Sequence, residues 1–195
     1  MKKIILATGN PGKLIEFQQL LSDTDYAVMA QSELDILEAE ETGLSFVENA
    51  IIKARNASKF SGLPAIADDS GLEVDALDGQ PGIYSSRFAG LPSNDQNNNQ
   101  KLLNSLSDVP TQLRTARFQC LLVLLRHELD PVPLIFQGCW EGRILFEPSG
   151  KNGFGYDSLF FVPEQNCSSA ELSPEVKNNL SHRGRAMAQL LSHLR

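Results

Sequence analysis

No stretch of this sequence approaches the roughly 18 consecutive apolar residues that a membrane-spanning helix needs. Lys2-Lys3 is followed directly by a strand-like pattern, without the apolar core of an export signal. Cysteine is scarce: Cys120, Cys139 and Cys167 stand far apart, with no C-x-x-C pair. That spacing excludes a disulfide framework. Basic residues are in the minority, 17 Lys and Arg against 24 Asp and Glu, for a net charge of −7. No basic stripe runs through the chain, which argues against a duplex or RNA binder. A small anionic ligand stays possible, because it needs only a local cluster of donors, usually with a divalent cation. Repeats, low-complexity tracts and domain linkers are also lacking. Together these absences predict a cytoplasmic protein, one domain over 1–195, with neither membrane nor nucleic acid as partner.

What is present is an ordinary globular composition, 42% hydrophobic and 21% charged. Residues 2–8 read as a buried strand, Thr8 to Gly12 as a turn, and Leu14, Phe17, Leu20 and Leu21 as one helical face. Residues 26–30 suggest a second strand. Ser45-Phe46-Val47-Glu48 is a capping box opening a helix over 46–60, stopped by Gly62-Leu63-Pro64. A short strand over 64–67 runs into Asp68-Asp69-Ser70-Gly71, and 72–77 suggests another. Ser93-Asn94-Asp95-Gln96 is a second capping box, opening a helix to about Leu106. Strands are expected over 115–126 and 132–146, joined as a long hairpin, and over 160–162. Ser173 caps a helix with Pro174 at its first position. Met187, Leu190, Leu191 and Leu194 give a last helix its buried face. Helices and strands interspersed in this way predict an α/β fold with a mixed central sheet flanked by helices.

Five stretches carry possible chemistry. Thr8-Gly9-Asn10-Pro11-Gly12-Lys13 departs from the P-loop, since only three residues separate Gly9 from Lys13 and Leu14 replaces the hydroxyl. Glycines, polar side chains, a helix start with N–H groups to offer and a lysine still suit an anion; the alternative is a tight turn with a solvated lysine. Asp68 and Asp69 are adjacent carboxylates at the expected end of a strand, and neighbours on an extended chain point to opposite sides. One can face a site while the scaffold holds the other, with Ser70-Gly71 as a donor-rich turn beside them. Glu38, Glu40 and Glu41 crowd an acidic loop; Glu40 or Glu41 can join Asp69 on a hard cation such as Mg²⁺, or all three can be solvated. In Gly153-Phe154-Gly155-Tyr156-Asp157 the glycines can expose a ring for a purine to stack on, with Asp157 accepting from the base, or Phe154 can lie in the core. Ser181, His182 and Arg183, with Lys177 one turn upstream, can meet an oxyanion or a keto oxygen, or simply end a helix. His127-Glu128 lacks the second histidine of a zinc-protease helix, and Trp140 reads as packing.

The order TGNPGK, EETG then SFVENA, AIADDSGL, PGIYSSRFAG, GFGYD and SHRG resembles that of the inosine triphosphate pyrophosphatase family, the non-standard purine NTP pyrophosphatases, in its bacterial form. The resemblance runs from about Lys3 to Leu194. It implies Mg²⁺-dependent hydrolysis of ITP, dITP and XTP to monophosphate and pyrophosphate, a homodimer, and two lobes around a long substrate cleft. By resemblance Thr8, Gly9, Asn10, Pro11, Gly12 and Lys13 bind the triphosphate. Asp69 is the proton acceptor and a metal ligand, and Glu40 the second ligand. Ser70, Phe154, Gly155, Tyr156, Asp157, Lys177, His182 and Arg183 bind substrate. A phosphatase or kinase working through the same carboxylates, and a non-catalytic nucleotide sensor, are the rival readings.

Overall fold

Alternating runs of strand and helix order the chain as its periodicity predicts. The computed structural model describes residues 1–22 and 24–194. In chain order the elements are β1 (Lys2–Ala7), α1 (Pro11–Leu20), β2 (Tyr26–Ala30), α2 (Phe46–Ser61), β3 (Ala65–Val74) and α3 (Asp95–Ser105). They continue with β4 (Thr115–Leu125), β5 (Leu134–Ile144), β6 (Phe160–Val162), β7 (Cys167–Ser168), α4 (Pro174–Leu180) and α5 (His182–Leu194). The strands form one sheet in the order β2-β1-β3-β4-β5-β6-β7. β1 pairs parallel with both β2 and β3, whereas β6 pairs antiparallel with β5 and β7. This is the expected mixed sheet. Among the described residues no helix is long and apolar enough to cross a membrane.

The chain divides into two compact units. The first takes Met1–Asp69, Cys120–Gln137 and the last helix from Ala186 on; the second takes Ser70–Gln119 and Gly138–Arg185. In the first unit the period-2 alternation of the strands sorts two cores. Ile4, Leu6, Ile66, Cys120 and Leu122 pack with Phe17 and Leu21 and with Ala186, Met187 and Leu190. The residues between them, Ile5, Ala7, Ala65, Ala67 and Val123, pack with Ala50, Ala54 and Ala57 of α2. So α1 and α5 cover one face and α2 the other, as side chains alternating across each strand require. Each larger apolar side chain buried this way contributes about 1.5–3 kcal/mol.

The second unit centres on Leu72, Val74, Leu102, Leu106, Phe118, Trp140, Ile144, Tyr156 and Phe160. A buried guanidinium, Arg114, donates to the carbonyls of Leu106, Val109 and Leu145 and lies 3.8 Å from the Phe146 ring centroid. It ties down the C-terminal end of α3, where carbonyls have no partners inside the helix.

Three expectations are corrected in detail. Ser70 and Gly71 form no turn: β3 runs unbroken from Ala65 to Val74, and 75–77 is a 3₁₀ turn rather than strand. The reason is burial; β3 is enclosed along most of its length, and the Leu72 N–H meets the buried Ser85 hydroxyl at 2.9 Å. α3 is capped by Asn94, whose side chain accepts from the Asn97 N–H, while the Ser93 hydroxyl donates to the Ser86 carbonyl. The strand expected over 132–146 is shorter, Leu134–Ile144. The first capping box holds: Ser45 caps α2, and Glu48 bonds back to the Ser45 hydroxyl and the Leu44 N–H.

Candidate active site

Begin where β1 ends. The Thr8 hydroxyl accepts from the Asn10 N–H at 3.1 Å, and the Asn10 side-chain Oδ1 accepts from the N–H groups of Gly12 and Lys13 at 2.9 and 3.2 Å. Pro11, at the first helical position, has no N–H. The turn therefore uses its own helix-start donors, contrary to the expectation that they face a ligand. Its shape is nevertheless open to an anion. A Cβ at Gly9 would lie 2.0 Å from a carboxylate oxygen of Glu38. A carboxylate thus already rests against the backbone there, at the far end of the Glu38 side chain. Lys13 leaves the turn and sets its ammonium 2.6 Å from Asp68.

The two aspartates of β3 separate as alternation predicts. Asp68 is buried on the α1 side, meeting Lys13 and, at 3.7 Å, the Cys120 thiol. Asp69 turns to the α2 side and meets the Lys53 ammonium at 2.5 Å. Lys53 also reaches Glu41 at 3.1 Å. Burial pushes the Asp69 carboxyl above the usual aspartate range, and the nearby Lys53 does not fully offset it. Burial pulls the Lys53 ammonium down, but Asp69, Glu41 and Asp68 together outweigh that and raise it. The result is a firmly cationic lysine beside a carboxylate whose charge the fold disfavours.

Of the two neighbouring glutamates, Glu41 joins Asp69 around Lys53, whereas Glu40 is exposed. Adjacent residues of an extended loop face opposite ways, so one of the pair had to turn out. Among the described residues no group of three or more His, Cys, Asp or Glu stands together for a metal. The oxygen donors of Asp69 and Glu41 around a buried ammonium still suit a hard cation that takes its remaining ligands from water and phosphate.

In the second unit an ion pair organises the loop 153–157. The Asp157 carboxylate accepts from the Phe154 N–H at 2.9 Å, the Ser169 hydroxyl at 2.8 Å and the Lys177 ammonium at 2.5 Å. It closes the loop 153–157 on itself, and three of its acceptor positions are already taken. The Gly155 N–H donates to Asp95, and its carbonyl accepts from Asn99. Phe154 is 41% exposed, not core. The Lys177 ammonium and the Arg183 guanidinium lie 5.4 and 5.9 Å from its ring centroid. The Tyr156 side chain lies in the core, where its hydroxyl donates to the Ser85 carbonyl at 2.8 Å. Burial pushes that phenol far up. A cavity of about 190 Å³ is lined by Asp95, Asn152, Gly153, Phe154, Gly155 and Asp157, among others.

Ser181 precedes α5 and holds its start. Its hydroxyl accepts from the Gly184 N–H at 3.1 Å and its carbonyl from the Arg185 N–H. A Cβ at Gly184 would lie 1.6 Å from the Asn178 carbonyl oxygen, so α4 and α5 meet this closely only over a glycine. His182 and Arg183 are each 6% exposed. Ser70 is half-buried within β3.

The structure thus gathers residues 8–13, Asp68 and Asp69 in one unit, and Phe154, Asp157, Lys177, His182 and Arg183 in the other. Sequence reasoning missed Lys53, although a signal was there. Lys53 falls on the stripe Ala50, Lys53, Ala54, Ala57, and a cation within an apolar face must meet a carboxylate. Asp95 and Asn99 had no comparable signal.

The sequence model of the Ham1 family matches residues 4–193, and the chain belongs to that family. A protein of Vibrio parahaemolyticus named dITP/XTP pyrophosphatase is 61% identical over 194 residues, covering 100% of this chain and 97% of that one. One of Escherichia coli O157:H7 with the same name is 57% identical, covering 100% and 99%. The solved structure of a HAM1 protein from Coxiella burnetii superimposes with a TM-score of 0.94 at 50% identity, covering 100% of this chain and 98% of that chain. The motif order and these matches agree.

Proposed function

We propose that this chain hydrolyses ITP, dITP and XTP to the nucleoside monophosphate and pyrophosphate, keeping deaminated purines out of DNA and RNA. The observation that carries this reading is the buried aspartate pair of β3, each carboxylate held by a lysine from a different helix, in a chain whose full-length relatives bear the name dITP/XTP pyrophosphatase.

The roles follow from the contacts. The Lys13 and Lys53 ammonium groups each rest on carboxylates, and phosphate oxygens can take over those bonds. The turn Thr8–Lys13 receives the triphosphate end. Asp69 orients water toward the α-phosphorus and accepts its proton; a carboxyl raised by burial is a better base than an ordinary aspartate. Asp69 and Glu41 would hold a Mg²⁺ ion, which when bound neutralises phosphate charge and acidifies coordinated water. Phe154 offers its face to the purine, and His182 and Arg183 offer donors to its 6-keto oxygen. Adenine carries an amino group at that position and leaves those donors unpaired, a mismatch that can reach about 10⁴-fold. Asp157 fixes the loop and Lys177 rather than reading the base. By the same family resemblance the protein works as a cytoplasmic homodimer, with its 195 residues as one catalytic domain.

A nucleotide panel with Mg²⁺, assayed for pyrophosphate, tests the reading. ITP, dITP and XTP should release pyrophosphate, and ATP should release far less. Orthophosphate as the product would assign the chain to a γ-cleaving phosphatase instead.

A further inference from the structure

Four rings of the second unit stand in a column. The centroid of Trp140 lies 5.2 Å from that of Phe160, with the planes at 47°. Phe160 lies 4.6 Å from Phe118 at 46°. Phe118 lies 4.7 Å from the His182 imidazole at only 14°. The first two steps are tilted packings of the kind a core fills itself with. The last differs, being a near-parallel stack that ends on a residue the proposed function places against the base.

The backbone at His182 is already fixed by the Ser181 cap and the close approach at Gly184. A fixed backbone still leaves the imidazole two side-chain torsions. The second of these is broad, because it turns an sp² ring about an sp³ carbon. The Phe118 face removes that freedom, since a ring lying flat on it directs its nitrogens along one plane. Phe118 also packs on Phe160, and its side chain comes from β4, a different element from His182.

We propose that Phe118 is a positioning residue for purine selectivity, its ring holding the His182 imidazole in the plane from which a ring N–H meets the keto oxygen of the base. This rests on the reading of His182 as a base contact. Discrimination between a keto and an amino group depends on direction as well as on the presence of a donor. Loss of the stack should therefore reduce selectivity more than it reduces capture of the phosphate end.

The test joins spectroscopy to kinetics. The chain has three histidines, so each can be followed in a proton NMR spectrum, with His182 assigned through His182→Ala. Lying over a phenyl face, the His182 ring protons should be shifted upfield of those of His127. Phe118→Leu should abolish that shift, and Phe118→Tyr should keep it. In kinetics, Phe118→Leu should narrow the ITP-to-ATP ratio of kcat/KM by roughly three- to tenfold, the factor an aromatic pair carries. Inhibition by pyrophosphate should stay unchanged, and Phe118→Tyr should restore the ratio. If Phe118→Leu does not fold, Phe118→Met takes its place. An unshifted His182 in the unsubstituted protein overturns the proposal, and so does an unchanged ratio once the stack is lost. If His182→Ala also leaves the ratio unchanged, the base reading of His182 fails. If His182→Ala narrows it and Phe118→Leu does not, only the role of Phe118 fails.

Discussion

Both units set a lysine on a buried aspartate, yet the two arrangements differ in what else the aspartate does. In the first unit Asp68 and Asp69 sit inside a strand whose backbone is already hydrogen-bonded, and each takes a lysine from a distant part of the chain. In the second unit Asp157 accepts from its own loop, from Ser169 and from Lys177 at once, so the loop 153–157 depends on it. The first arrangement can exchange partners without unfolding anything, which suits chemistry on a charged substrate. The second is a latch, which suits holding a ring in place.

Substitutions can break that contrast. The largest effect is expected at Asp69. Asp69→Asn should lower kcat by about 10²–10⁴-fold, the range of a lost general base, while ITP binding stays measurable. Its thermal stability at neutral pH should fall only modestly, because the Lys53 ammonium loses Asp69 but keeps the Glu41 carboxylate. Asp157→Ala should do the reverse in denaturant titrations, costing about 3–5 kcal/mol of stability, because it leaves a buried ammonium and an N–H without their acceptor. A fully stable Asp157→Ala protein would erase the distinction between the two units.

A smaller effect separates the neighbouring glutamates. Glu41→Gln should raise the Mg²⁺ concentration needed for half-maximal turnover by about tenfold or more, the scale of disturbed metal sites. Glu40→Gln should leave it unchanged. The reverse outcome would move the proposed second ligand back to Glu40.

The smallest effect lies away from the chemistry. The Arg126 guanidinium and the N–H groups of Arg126 and Val132 hold the Asp130 carboxyl well below the usual range. A depressed carboxyl contributes stability that is full above the unfolded pKa and is lost as pH falls through the folded one. Asp130→Asn should therefore lower Tm at pH 7, by less as the pH is lowered, with turnover unaffected. An equal Tm difference at every pH would show that the ionised carboxylate is not what stabilises that turn.

The sequence made local features readable and left non-local pairings unreadable. Ser45 and Glu48 announced α2 because a cap is made within four residues. The opposite directions of Asp68 and Asp69 followed from strand geometry alone. The Ser70-Gly71 turn failed because turn propensity is a local preference, and burial along β3 overrides it. Glu40 and Glu41 are equivalent by composition, and only the approach of Lys53 from α2 distinguishes them. Tyr156 sits in a motif yet serves the core, since its hydroxyl finds the Ser85 carbonyl 71 positions away. The Phe118–His182 stack likewise joins β4 to α5, and no spacing rule links them.

Hydrolysis of ITP in ¹⁸O-labelled water tests the central claim most directly. If the residues around Asp69 direct water to the α-phosphorus, the label appears in inosine monophosphate and the pyrophosphate stays unlabelled. Label in pyrophosphate, or in orthophosphate released from the γ position, would contradict the account.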